Sequence, residues 1–98
     1  MRVLLACAGG MSTSMLMRKM EAYAAEHGID DFHIDAVGIG KCKEVWQNYD
    51  CILLGPQVGF NKGQVTRYVE IPVEVMAPLD YGRQNCEAIF KQIEGMLG

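Results

Sequence analysis

Five consecutive apolar residues, Val3 to Cys7, stand near the start of the chain with no polar residue among them. A half-buried strand alternates; a continuous run bounded by turn residues predicts a strand buried on both faces. From about Ser12 to His27 the period becomes helical. Leu16, Met20, Tyr23 and Ala24 share one face, Arg18, Glu21 and Glu26 lie elsewhere, and Gly28 offers a left-handed stop. Residues 32–37 alternate, with Phe32, Ile34 and Ala36 on one face and Gly38 and Gly40 closing the strand. The segment KCKEVWQN, residues 41–48, predicts a short helix anchored by Val45 and Trp46. Residues 50–54 form a second continuous strand, stopped by Gly55-Pro56, and a short helix is expected over 62–69. Residues 72–76 predict a fourth strand, its proline at the start or on a sheet edge. The clearest helix comes last, with Cys86, Ile89, Phe90, Ile93 and Leu97 at helical steps and Asp80 as its expected N-cap.

Strand and helix thus alternate four times. This order predicts an α/β fold, a three-layer sandwich with a four-stranded parallel sheet and helices on both faces. With right-handed crossovers, the expected strand order is 2-1-3-4. No linker, repeat or low-complexity tract interrupts the pattern, so residues 1–98 are read as one domain.

Composition narrows the function classes. The formal net charge of −3 gives no basic footprint for nucleic acid. The first apolar run is too short for a signal peptide or a membrane span, so a soluble, cytoplasmic protein is expected. The four cysteines, Cys7, Cys42, Cys51 and Cys86, form no CxxC pair, which predicts free thiols. His27 and His33 have no cysteine at zinc-motif spacing; a helix end and a strand face account for them, and neither metal nor cofactor is expected.

The segment CAGGMSTS, residues 7–14, carries the chemistry. In an open parallel sheet, ligands bind beyond the carboxyl ends of the strands where strand order reverses. For order 2-1-3-4 that point lies between strands 1 and 3, flanked by residues 7–14 and by GPQVG, residues 55–59. Gly9 and Gly10 let the backbone curl so that successive N–H groups point inward. Ser12, Thr13 and Ser14 add hydroxyl donors, and the helix N-terminus adds partial positive charge. These features favour a thiolate at Cys7 and would hold the oxygens of a phosphoryl group. The predicted site is therefore Cys7 as nucleophile, with Ala8, Gly9, Gly10, Met11, Ser12, Thr13 and Ser14 as the phosphate cradle and Gln57 as a second-loop contact. A nucleotide P-loop is excluded, because no lysine lies between Cys7 and Leu16; Gly38-Ile-Gly40 lacks the third glycine of a dinucleotide fingerprint. Met11, Met15 and Met17 offer an adaptable docking surface, although at least one is expected in the core. Tyr81 is read as a packing residue at a helix start, with a place bordering the site as the alternative, and Cys42, Cys51 and Cys86 are read as structural.

At CAGGMSTSM the chain resembles the enzyme IIB component of the phosphoenolpyruvate-dependent sugar phosphotransferase system, in its lactose/cellobiose (chitobiose) family. That family opens with a strand followed by C-x-x-G-M-S-T-S, matched from Cys7 to Ser14. Leu53-Leu-Gly-Pro-Gln57 and Pro72-Val-Glu-Val75, followed by Tyr81-Gly82, are further points of likeness. The resemblance implies that Cys7 accepts a phosphoryl group from a phosphohistidine on enzyme IIA. Cys7 would then pass it to a β-linked disaccharide or related oligosaccharide bound by the membrane enzyme IIC. Low-molecular-weight tyrosine phosphatases resemble the expected fold and use C-x5-R-[ST], but here Thr13 occupies the arginine position. Without that fork on the phosphate oxygens, transfer is favoured over hydrolysis. A small cysteine phosphatase or arsenate-reductase-like enzyme, and an anion- or redox-sensing module, are the competing readings.

Overall fold

The computed structural model describes residues 1–8 and 11–98. The predicted cradle residues Gly9 and Gly10, and the side chains of Met11 and Ser12, lie outside the described set. Strand β1, Arg2–Cys7, is followed by α1, Met11–Glu26, and β2, His33–Gly38. A 3₁₀ turn, Ile39–Lys41, leads into the single-turn helix α2, Cys42–Val45, and a second such turn, Trp46–Asn48. Then come β3, Cys51–Leu54, a 3₁₀ segment, Pro56–Asn61, α3, Lys62–Tyr68, and β4, Val73–Val75. The chain ends with α4, Pro78–Arg83, and α5, Cys86–Leu97.

All strand pairs are parallel, in the order β2-β1-β3-β4. In the central strand, Val3 and Leu5 face one core while Leu4 and Ala6 face the other, and all four are wholly buried. The continuous apolar run therefore serves two cores. The first core packs Leu16, Met20 and Ala24 of α1 and Ile89, Phe90 and Ile93 of α5 against Val3, Leu5 and Leu53. The second packs Cys42 of α2 and Val65 of α3 against Leu4, Ala6, Ile52 and Leu54. Val45 and Trp46 support the second core as expected, and Phe32 and Ala36 flank Ile34 in the first.

The expected C-terminal helix is corrected. It begins at Cys86, and Asp80 lies inside the separate helix α4 rather than at its cap. Gln84, between them, adopts the left-handed conformation (φ 52°), which ends α4. Asn85 caps α5 instead, its Oδ1 accepting from the Ala88 N–H at 3.2 Å. At the far end Leu97 is 40% exposed while Met96 packs on the core, so Met96 rather than Leu97 carries the last turn of the apolar stripe. Gly28 carries the left-handed φ (+67°) that lets the chain leave α1.

The outer strand β4 is only three residues long. Gln92 of α5 donates from Nε2 to the Val75 carbonyl and to Glu74 Oε1, each at 3.0 Å. On the opposite edge, Asp35 accepts from the Tyr49 hydroxyl at 2.6 Å and lies 3.0 Å from His33 Nε2. The Tyr49 hydrogen bond leads in holding the Asp35 carboxyl below its usual range, with His33 contributing against a cost of burial.

Candidate functional site

The register of the sheet builds the site. Cys7, the last residue of β1, lies one step past the end of the β1–β3 pairing and opposite Gly38 of β2. The Gly55 N–H donates to the Ala6 carbonyl at 2.9 Å, so the turn after β3 is tied down beside Cys7. Strand order reverses between β1 and β3, and there Cys7 lies beside Gly55, the start of the second expected loop.

Side-chain alternation turns Cys7 toward the face covered by α1, where Val3 and Leu5 also point. Cys7 is 3% exposed, yet among the described residues it belongs to neither core cluster. Its Sγ meets Thr13 Oγ1 at 3.3 Å, and the Val37 carbonyl lies farther off, at 4.0 Å. Thr13 is completely buried. It occupies α1 three residues before Leu16 and seven before Met20, so it continues the stripe that enters the first core. Ser14 is half-buried and Ala8 exposed.

Gln57 is exposed, but its carboxamide folds back over Gly55. A Cβ on Gly55 would stand 3.0 Å from Gln57 Oε1 and 3.7 Å from the Cys7 Cβ. Absence of a side chain at Gly55 is what lets the carboxamide lie against this turn.

The other thiols are set apart by their surroundings. Burial pushes Cys42 and Cys51 up from 9.0 to about 11, and burial also raises Cys86. All four cysteines are free. For Cys42 and Cys51 the folded state keeps a proton that the unfolded chain loses above about pH 9. Their contribution is whole below that pH and is lost as pH rises toward 11. Thermal unfolding between pH 8 and 11 should show stability falling by on the order of 2 kcal/mol per thiol, and replacing Cys51 by valine should flatten the profile.

Of the three methionines, Met15 is 61% exposed and Met17 packs against the first core. Tyr81 also packs, partly buried, against that core. His27 and His33 are exposed on a helix end and a strand, and no group of metal-holding side chains occurs among the described residues. Thr13 was foreseen as a phosphate donor, but its placement on the buried stripe was not drawn from the sequence. The signal was present, because 13, 16, 20 and 24 follow helical spacing. The Val37 carbonyl, a backbone group, had no sequence signal.

An open, wholly parallel α/β sheet with a thiol ending an inner strand at the point of strand reversal is thus the class of domain defined here. The chain belongs to the family described as "PTS system, Lactose/Cellobiose specific IIB subunit", which matches residues 2–92. It is 38% identical over 94 residues to the PTS system oligo-beta-mannoside-specific EIIB component of Bacillus subtilis, covering 93% of this chain and 90% of that protein. It is 37% identical over 107 residues to the galactose-specific EIIB component of Lactococcus lactis subsp. cremoris, covering 97% and 94%. The solution structure of the cellobiose-specific phosphotransferase IIB component from Borrelia burgdorferi superposes with a TM-score of 0.75 at 36% identity, covering 93% of this chain and 85% of that one. The lactose-specific IIB domain of Streptococcus pneumoniae shares the fold, with a TM-score of 0.80 at 19% identity, covering 96% and 95%. The protein is a phosphocarrier, a phosphotransferase component of a sugar transport system. Among the described residues no helix is long and apolar enough to cross a membrane.

Proposed function

We propose that Cys7 is the atom-level carrier of the phosphoryl group and that residues 8–14 cradle it. The observation that carries this reading is the Cys7 sulfur at the carboxyl end of β1, set against a buried hydroxyl in the first turn of α1. In the inward step a thiolate lone pair attacks phosphorus on an enzyme IIA phosphohistidine. The N–P bond breaks, its electron pair returns to the imidazole, and an S–P bond forms. In the outward step a sugar hydroxyl held by the membrane enzyme IIC attacks phosphorus, its proton passing to a base of that partner. The S–P bond breaks and its electrons return to sulfur. In this reading the Gln57 carboxamide, which lies against Gly55, contacts the phosphoryl oxygens from the second loop.

The whole chain acts as one IIB domain on the cytoplasmic side of the transporter. Met15, Phe60 and Leu79 stand 61%, 86% and 67% exposed on segments that follow β1, β3 and β4. We take them as the apolar rim that meets each partner briefly in turn. The names of the relatives span oligo-beta-mannoside, galactose and cellobiose. The oligo-beta-mannoside and cellobiose names support a β-linked disaccharide or related oligosaccharide as the sugar class, the galactose name a monosaccharide, the choice lying with the membrane partner's pocket.

The test is phosphorylation from phosphoenolpyruvate through the general relay proteins and a matching enzyme IIA, followed by mass mapping. One phosphoryl group on Cys7 is expected. Label on a histidine, or label retained in Cys7→Ala, refutes the assignment.

A further inference from the structure

Thr13 is a polar residue in a core position. Its side chain is wholly removed from water, and it stands where the apolar stripe of α1 would otherwise place another aliphatic group. A buried hydroxyl without a partner is costly, so its neighbours indicate its use. No buried side-chain nitrogen or oxygen among the described residues lacks a partner, and the Thr13 hydroxyl lies 3.3 Å from Cys7 Sγ.

Two polar neighbours of the sulfur among the described residues act differently. The Val37 carbonyl, 4.0 Å away, can only accept, so it favours the protonated thiol. A hydroxyl can reverse its role: it accepts from a thiol and donates to a thiolate. Hydrogen bonds to an ionised partner are the stronger kind. With the hydroxyl nearer than the carbonyl, donation to sulfur prevails once the proton leaves.

We propose that Thr13 is the positioning residue of the Cys7 sulfur, its buried hydroxyl donating to the thiolate and holding it at the carboxyl end of β1. This rests on the reading of Cys7 as the nucleophile, and it assigns Thr13 to the sulfur rather than to phosphate oxygens alone. The same donor serves both steps, because sulfur is ionised before it accepts the phosphoryl group and again after it gives it up. Among the described residues, Cys42 of α2 is a titratable group that feels the Cys7 charge. Val37 of β2 and Gly55 and Gln57 after β3 are uncharged.

The experiment measures the pH profile of Cys7 alkylation by iodoacetamide on the full chain, in a Cys42→Ala, Cys86→Ala background with the modified residue mapped. Thr13→Val keeps the shape and removes the hydroxyl; Thr13→Ser keeps the hydroxyl. Thr13→Ala is measured alongside, so that the result does not hang on one variant's folding. In Thr13→Val the midpoint of the profile should move up by about one pH unit, and alkylation at neutral pH should slow about tenfold. Thr13→Ser should stay within about threefold of the parent protein. An unmoved profile in Thr13→Val, or a Thr13→Ser variant as defective as Thr13→Val, overturns the proposal. Alkylation that depends on Thr13 as stated, in a protein that takes no label from the relay, supports the positioning role and refutes the carrier reading instead.

Discussion

Cys7→Ser should abolish phosphoryl loading, reducing it by at least about 10³-fold, while leaving the fold intact. The substitution exchanges one atom at a residue that is 3% exposed and already faces a hydroxyl. Packing therefore changes little, and the thermal midpoint should stay close to that of the parent. The chemistry changes greatly, because a serine hydroxyl at neutral pH offers no appreciable alkoxide, whereas a cysteine offers a polarizable thiolate. Cys42→Ala and Cys86→Ala are the matching controls. Both thiols are pushed up by burial and remain protonated at neutral pH, so these variants should take label at the parent rate. Label that survives in Cys7→Ser, or is lost in Cys86→Ala, contradicts the site. Radiolabel or mass measurement of the loaded protein reads both arms.

The largest effect on stability is expected for Leu5→Ala. Leu5 sits in the middle of the central strand, wholly buried, with Ala36 of β2 and Leu53 of β3 as its register partners. Its side chain fills the first core, where both α1 and α5 close over the sheet. Such a truncation removes buried methyl groups and leaves a cavity that a doubly covered sheet cannot collapse, costing about 2–5 kcal/mol. A domain of this size has about 5–15 kcal/mol in all, so a large share is lost, and the thermal midpoint should drop by roughly 10–25 °C. Met15→Ala, at an exposed position, should move stability by no more than about 0.5 kcal/mol. Calorimetry of the two variants separates these outcomes, and a Leu5→Ala midpoint within a few degrees of the parent would be inconsistent with the packing described.

Much of the fold could be read from the chain because its strongest signals were local. Runs such as Val3–Cys7 and Cys51–Leu54 carry no alternation, and only a sheet covered on both faces accommodates that. Alternating strands and helices with right-handed crossovers then leave few topologies, and the observed strand order is the expected one. The C-terminal region was less legible. Asp80, two residues after Pro78, looks like a cap, but it lies inside α4, and the break that ends α4 depends on the left-handed conformation of Gln84, a residue type that gives no warning of it. Asn85 was the available signal, an N-cap residue immediately before the apolar stripe begins.

The site was legible at the level of its loop but not of its contacts. Cys7 followed by paired glycines and three hydroxyls marks a turn into a helix whatever the tertiary structure. Which hydroxyl meets the sulfur depends on the rotation of α1 against the sheet, and that is fixed by Leu16 and Met20 entering the first core. The Gln57 carboxamide lies against Gly55, a local contact, and the Gly55–Ala6 hydrogen bond ties that turn to β1. The Thr13–sulfur contact and the Gly55–Ala6 bond are thus set by packing of elements against one another.

The brevity of β4 and the Gln92 side chain laid along it determine how this molecule can meet others. A long bare strand margin would invite another chain to dock by adding a strand of its own, stacking copies into ribbons. Here that margin is curtailed, and the Val75 carbonyl is already taken by an amide from the same molecule. Addition of a strand at the β4 margin is thereby discouraged, which favours the loop-bearing end of the strands over this edge as a meeting place.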